Sequence, residues 1–396
     1  MRGKAWHDAP ATDRFAEPTD YPRLQFVVVN WNYARYIDQT IASIRDQDYP
    51  NISCLVVDNG SADDSVDVIR KSIGSDRRFE LIEFDRNCGQ LGAVVAISER
   101  IDGAYVSFVD SDDFICRNYG SSHIQVHESL SEPVGMTSSN VMEVGSSGDL
   151  LSGHALRFRD GERRRKSERG VLSGPRLPIV DLQFFDQLGS RVSVVRRDKR
   201  GWLWAPGTSN VYRGSLLRQT LAVVPDKIPV EPFTDTHVNV LTHMIAGSAL
   251  IDLPLSAYRI HDRNLSSDSI RLNGAKNLPE AAALRGRRQR GSACAWLIRG
   301  RAAAKSWIPT EEFWTTLDRI DFNSGEMPHN AEIHSAFAEC FDALSREFGE
   351  RALIEELRSR LPFRETKKII RAAGSWAKKP FRLAMLRTIE GERSSR

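Results

Sequence analysis

Cysteine is scarce and poorly placed for cross-links. Cys54, Cys88, Cys116, Cys294 and Cys340 make five in 396 residues, an odd number with no Cys-x-x-Cys pair. That pattern argues against a zinc knuckle or a secreted disulfide framework and favours a reducing compartment. Also missing is an uninterrupted apolar run approaching the length of a membrane span. The opening residues lead into polar sequence, not an apolar secretory core. The expectation is a cytoplasmic protein, at most peripheral at the inner face of the cell membrane. The common phosphate cradles are absent too. No G-x-x-x-x-G-K-[ST] occurs, which disfavours a P-loop nucleotidase, and no G-x-G-x-x-G follows the first strand, which disfavours a dinucleotide enzyme. The Gly- and Arg-rich phosphate loop of a nucleotidyltransferase is missing as well.

What is present is an ordinary globular composition, 41% hydrophobic and 27% charged with 17 Pro and 27 Gly, which excludes collagen-like and disordered chains. The length suffices for one large domain with an appendage and needs no disulfide or metal to fold. The 55 basic and 52 acidic residues nearly cancel, to +3, but they are unevenly spread. From Leu357 to Arg396, twelve basic residues face only Glu365, Glu390 and Glu392, about +9 by 12 − 3, which leaves about −6 for the rest. In this tail Ile369, Ile370, Ala373 and Trp376 share one helical face, with Lys367, Lys368 and Arg371 around it. Such a basic amphipathic segment suits an anionic membrane, or else packs on its own domain with a solvated basic face. No nucleic-acid recognition motif accompanies the charge, so no nucleic-acid partner is expected.

Residues 1–21 read as a flexible N-terminal arm. A domain over 22–270 follows, in two parts: a regular one over 22–115 and a less regular one over 116–270. A helical extension with the basic tail occupies 271–396. Leu24–Val29 and Ser53–Val57 are short apolar runs of the kind buried on both faces of a sheet. Phe79–Phe84 and Ala104–Val109 complete four strands, separated by helical patterns over Tyr36–Gln47, after Asp63-Asp64, and over Leu91–Arg100. This alternation predicts an α/β fold, a Rossmann-like, mostly parallel sheet flanked by helices. The stretch 145–200, with the basic run Arg163-Arg164-Arg165-Lys166, is irregular, and helices resume beyond Asn273.

Ligands of open parallel sheets bind beyond the carboxyl ends of the strands. There the sequence sets Asn30-Trp31-Asn32, Asp58, Asn87 and Asp110-Ser111-Asp112-Asp113. Carboxylates two residues apart at a strand exit can face one hard cation and leave positions for phosphate oxygens. Asp58 can accept from a base N–H or a ribose hydroxyl, and Gly60 would let backbone approach closely. Each piece also has a plainer reading, as a solvated acidic loop, a tight turn or a helix cap.

Taken in order, Val27-Val28-Val29-Asn30-Trp31-Asn32-Tyr33, Gln47-Asp48-Tyr49-Pro50, Val56-Val57-Asp58-Asn59-Gly60-Ser61, Asn87-Cys88-Gly89-Gln90 and Phe108-Val109-Asp110-Ser111-Asp112-Asp113 resemble family-two glycosyltransferases of the GT-A fold. The resemblance covers roughly residues 22–265 and implies nucleotide-sugar binding by 22–115 and an acceptor side over 116–270. It implies inverting transfer of a sugar from a nucleotide-diphosphate donor to a glycan or lipid-linked acceptor, aided by Mg²⁺ or Mn²⁺, in surface polysaccharide synthesis. On the matching positions, Asn30, Asn32, Asp58 and Gly60 would line the base and ribose pocket. Asn87, Gly89 and Gln90 would border the nucleotide, Asp110 would face the ribose or the metal, and Asp112 would ligate the metal. Asp113 is the less certain neighbour. Asp235, in a motif resembling the opening of the family's acceptor-side helix, is the candidate general base, with Glu231 in reserve. His261, in Tyr258-Arg259-Ile260-His261, would reach the metal or diphosphate. Trp202 and Trp204 would stack on a sugar or simply pack. The competing expectation is a catalytically silent sugar-nucleotide-binding scaffold.

Overall fold

The computed structural model describes residues 21–156, 158, 161–225, 228, 233–264, 280–322, 325–374 and 378–394. The expected arm and Glu231 lie outside these residues. Eleven strands form one sheet: β1 (Leu24–Asn30), β2 (Ile52–Asp58), β3 (Phe79–Glu83), β4 (Tyr105–Asp110), β5 (Phe114–Ile115), β6 (Met136–Val144), β7 (Leu150–Ser152), β8 (Glu168–Arg169), β9 (Val192–Val195), β10 (Asn210–Arg213) and β11 (Ser248–Arg259). Between them run α1 (Ile37–Arg45), α2 (Ser65–Ile73), α3 (Gln90–Ala96), α4 (Tyr119–Ser129), α5 (Gly161–Lys166), α6 (Leu182–Arg191), α7 (Gly214–Leu221) and α8 (Thr234–Ala246).

The strand order β3-β2-β1-β4-β10-β6-β11-β9-β8 has a parallel first half. Beyond it, β10 runs antiparallel between β4 and β6, and β11 returns parallel to β6. The sheet is therefore Rossmann-like and parallel in its first half and mixed in the other. β1 and β2 lack alternation because helices cover both their faces, so Phe26, Val28, Val56 and Val57 are all fully buried. Parallel pairing sets Asn30 opposite Asp58, Val29 opposite Asp110, and Asp58 opposite Glu83. The polar strand ends thus lie at one level. The chain leaves β1 toward β2 on one side and meets β4 on the other, so a crevice opens at their carboxyl ends.

The chain divides into two compact units. The first holds the whole sheet. The second takes residues 221–225 and the chain from 284, so its boundary falls inside α9 (Glu280–Arg299). It is helical, with α10 (Arg301–Ala304), α11 (Phe313–Phe322), α12 (Ala331–Phe348), α13 (Glu350–Arg360), α14 (Phe363–Ala372) and α15 (Lys379–Ser394). Among the described residues no helix is long and apolar enough to cross a membrane.

The tail departs from one of its two expected readings. Ile369, Ile370 and Ala373 are buried within the helical unit, so the face expected to meet a membrane is interior. Arg382 is buried between Asp342 and Glu350, and Arg358 pairs with Glu390 and Arg360 with Asp318. Trp376 lies outside the described residues.

Candidate active site

The end of β2 carries a carboxylate held by its own turn. Asn30 donates from Nδ2 to Asp58 Oδ1 at 3.0 Å and to Ser61 Oγ at 3.2 Å. Ser61 closes the loop, its N–H donating to Asp58 Oδ2 at 2.9 Å and its hydroxyl to Oδ1 at 2.6 Å. This is an Asx-type turn, and it aims the buried Asp58 along the crevice. Asn32 takes a left-handed φ of 59°, which asparagine tolerates because its short amide bonds locally. Its Oδ1 accepts from the Ala62 N–H at 2.7 Å. Asn30 Oδ1 is buried without a partner, an acceptor left over in the pocket wall.

The reason for glycine at position 60 differs from the one expected. With φ at +73°, a Cβ there would stand 2.6 Å from the Arg86 backbone. The close approach is made by the chain's own loop after β3. Asn59 ties that loop down, donating to Asn87 Oδ1 at 3.0 Å and to the Gly89 carbonyl at 3.2 Å and accepting from the Cys88 N–H. Asn87 Oδ1 also accepts from the Gly89 N–H at 2.8 Å. Asn87 and Gly89 therefore shape the entry to α3.

At the end of β4 the three aspartates separate by environment. Asp113 is buried with both oxygens turned into the protein, accepting from Thr208 Oγ1 at 2.6 Å and the Arg259 N–H at 2.9 Å. Burial, then the charges of Asp112 and Asp110, push its carboxyl well above the usual range. Asp110 is pushed up to about 7 by burial first, then by Asp112 and Asp235. Gln90 donates to Asp110 Oδ1 at 2.6 Å, and Gln90 Oε1 accepts from the Thr234 N–H at 3.1 Å. One side chain thus joins the end of β4 to the head of α8, where Asp235 sits in the first turn. A Cβ on Gly207 would lie 3.5 Å from Asp110 Oδ2 and 3.9 Å from Asp235 Cβ, so both acids face the same small turn.

Asp112 is held from the far side. His261 Nδ1 accepts from the Arg263 N–H at 3.1 Å, which leaves the proton on Nε2 for Asp112 Oδ2 at 3.0 Å. The imidazole is stacked on Tyr36 at 5.1 Å and meets Tyr33 edge-on at 5.6 Å. Arg259 fixes the loop by donating to the Asp112 carbonyl at 2.8 Å. Trp204 is buried, its indole N–H on Ser248 Oγ at 2.8 Å, so it packs in the core and offers no face to a sugar.

The structure brings Asp110, Asp112, Asp235 and His261 to one rim beside the Asn30–Asp58 pocket. Tyr33, Tyr36 and Thr208, present in the sequence patterns without a role of their own, also belong to the site. Thr208 has no local signal, since it serves residues on the far side of a long insertion. Ser61 had one, its spacing of three from Asp58. Among the described residues no group of three or more His, Cys, Asp or Glu side chains is gathered as a closed metal cage. The donor set still fits a hard divalent cation of the Mg²⁺ type, which takes one or two carboxylates and fills its shell with phosphates and water. The like charges around Asp110 are what such a cation would relieve.

The fold and rim define an open α/β domain with a polar crevice at its switch point and acids at its mouth. Residues 25–130 match the profile of glycosyl transferase family 2. The chain is similar to the uncharacterized glycosyltransferase alr2836 of Nostoc sp., 26% identical over 245 residues, 61% of this chain and 66% of that one. It is 32% identical over 92 residues to the putative teichuronic acid biosynthesis glycosyltransferase TuaG of Bacillus subtilis, 23% of this chain and 36% of that one. It thus spans less than two thirds of either protein. A solved mannosyltransferase, PcManGT from Pyrobaculum calidifontis in complex with GDP-Man and Mn²⁺, aligns over 94% of this chain and 80% of that one at 17% identity and a TM-score of 0.43. A likeness that weak carries no argument, and the fold rests on the strand order above.

Proposed function

We propose that the protein transfers a sugar, with inversion, from a nucleotide-diphosphate sugar to a hydroxyl of a glycan or lipid-linked acceptor in polysaccharide assembly. The observation that carries this reading is the convergence of Asp110, Asp112 and Asp235 on one rim beside the Asp58 pocket. In this reading Asp58 and the spare Asn30 Oδ1 meet donors of the base and ribose. Asn32, Gly60, Asn87 and Gly89 keep the pocket walls in shape. Asp112, with Asp110 and His261 beside it, holds Mg²⁺ or Mn²⁺. When bound, that cation neutralises the leaving diphosphate. Asp235 accepts the proton of the acceptor hydroxyl as the new glycosidic bond forms opposite the departing group. Asp110 sets the donor-side limit of the space in which Asp235 works. The family match of residues 25–130 supports the donor class, and the printed name of TuaG supports the polysaccharide setting.

The test is a panel of nucleoside-diphosphate sugars with Mn²⁺ or Mg²⁺, read by donor turnover and by the anomeric configuration of the product. Asp235→Asn is expected to lower turnover by at least about 10³-fold while nucleotide binding persists. Asp112→Ala is expected to lose both turnover and metal-dependent stabilisation. A protein that binds a nucleotide sugar tightly but turns over no donor, wild type included, would be a binding scaffold instead.

A further inference from the structure

We propose that the free edge of the sheet, formed by α5, β8 and the turn after β9, is a docking surface for an anionic lipid bilayer. β8 pairs antiparallel with β9, Glu168 opposite Val194 and Arg169 opposite Ser193. Among the described residues it has no second neighbour. Just ahead of β8, at the end of α5, the Lys166 ammonium reaches the Arg200 carbonyl and Arg163 Nε donates to the Leu203 carbonyl at 2.9 Å. Two basic runs that are far apart in the sequence, 163–166 and 196–200, are thereby folded into one surface.

Arg164, Arg165, Arg169, Arg196 and Arg197 are exposed there, and Lys199 is partly so. The described acids among them are Glu168 and Asp198. Asp198 is itself half-exposed and is shared by Arg196 at 3.7 Å and Lys199 at 3.5 Å, so it cannot neutralise the group. A two-residue edge strand needs only a charge or two to resist pairing with another chain, far fewer than are present. Apolar side chains accompany the cations. Val171, where the chain leaves β8 to bond Ser131 and to bridge Leu130 with Leu172, is 56% exposed, and Leu182 at the start of α6 is 65% exposed. A soluble polyanion has use for the cations alone. Cations with exposed aliphatics match the headgroup and acyl boundary of an anionic bilayer, where each Lys or Arg strengthens binding about fivefold.

The test uses the full chain, sedimented with phosphatidylcholine vesicles or with vesicles containing equal parts phosphatidylglycerol. No sugar donor is present, so the outcome is independent of the proposed transfer. The chain is expected to bind the anionic vesicles alone and to release in high salt. Arg164→Glu with Arg165→Glu should weaken binding at least about tenfold with unchanged thermal melting, Arg164→Lys with Arg165→Lys should retain it, and Val171→Ser should weaken it with every charge in place. Failure to bind anionic vesicles overturns the proposal, as does full binding by the doubly reversed variant. Loss of binding only on Arg364→Glu with Lys368→Glu would assign the contact to the tail. Equal binding to polyphosphate together with indifference to Val171→Ser would assign the edge to a soluble polyanion. Either result overturns the lipid reading.

Discussion

At the scale of single residues, the site is arranged against its own stability. Asp110 is buried beside two other acids, and its carboxyl is raised from the usual 3.8 to about 7. The folded protein therefore holds this proton more tightly than the unfolded chain does. The resulting stability is fully present below about pH 4 and is lost as pH rises through 7. In metal-free buffer, Asp110→Asn is expected to match the wild type near pH 4 and to exceed it above pH 7, on the order of 1–3 kcal/mol. The check is denaturant unfolding with chelator at both pH values. A variant no more stable than wild type at pH 8 would show that the like charges are already neutralised. Gly60 makes the opposite case, a residue whose replacement harms the fold with no charge involved. Gly60→Ala combines a left-handed φ with a clash against the Arg86 backbone, a loss of about 2 kcal/mol or more, read as a lowered denaturation midpoint.

At the scale of elements, what could be read from the sequence was what local pattern encodes. The four parallel strands follow from apolar runs, and Asn30, Asp58 and Asp110 follow from being the first polar residues after them. The sequence offers no such signal for α4. Its residues Tyr-Gly-Ser-Ser-His-Ile-Gln-Val-His-Glu-Ser look like a solvated loop, yet ten of the eleven are buried. Periodicity fails because the helix is enclosed all round, and some of its polar side chains bond distant backbone. Gln125 donates to the Pro175 carbonyl at 3.0 Å and accepts from the Leu177 N–H at 2.7 Å, and Ser129 also donates to Pro175. The loop 173–177 is thus strapped to the helix by side chains some fifty residues away in sequence, and only tertiary structure reveals the pairing. The role of Thr208 was hidden for the same reason. Gln125→Ala leaves the buried Leu177 N–H unpaired while Ser129 still serves the Pro175 carbonyl, an expected loss of about 1–3 kcal/mol. Hydrogen exchange at Leu177 should accelerate with it. Unchanged protection there would mean that the loop is held by something other than Gln125.

At the scale of the whole molecule, the near-neutral charge hides two unlike distributions. Arg358, Arg360 and Arg382 of the basic tail are taken up by ion pairs inside the helical unit, whereas Arg164, Arg165, Arg169, Arg196 and Arg197 of the first unit are exposed along the sheet edge. Acid stability is set by histidine in the interior of the first unit. Burial lowers His123 to about 3 and His237 to about 4, and holds His127 well below its ordinary value. These rings stay neutral in the folded state while the unfolded chain protonates near 6.5. Between pH 6.5 and 4 the unfolded state therefore binds more protons, and stability falls as pH falls. Asp110 and Asp113, with raised carboxyls, act in the opposite sense over much of the same range, so the wild-type profile should be shallower than three histidines alone would give. Substitution isolates one contribution. His237 Nε2 lies 2.8 Å from the Thr220 carbonyl and must donate to it. His237→Gln keeps a donor and removes the titration. The stability difference between wild type and this variant should shift toward the variant by about 1.4 kcal/mol for each pH unit below 6.5, levelling off near pH 4. Urea unfolding at half-unit intervals from pH 7 to 4.5 measures it, and a difference independent of pH would mean that His237 binds its proton equally well in the folded chain.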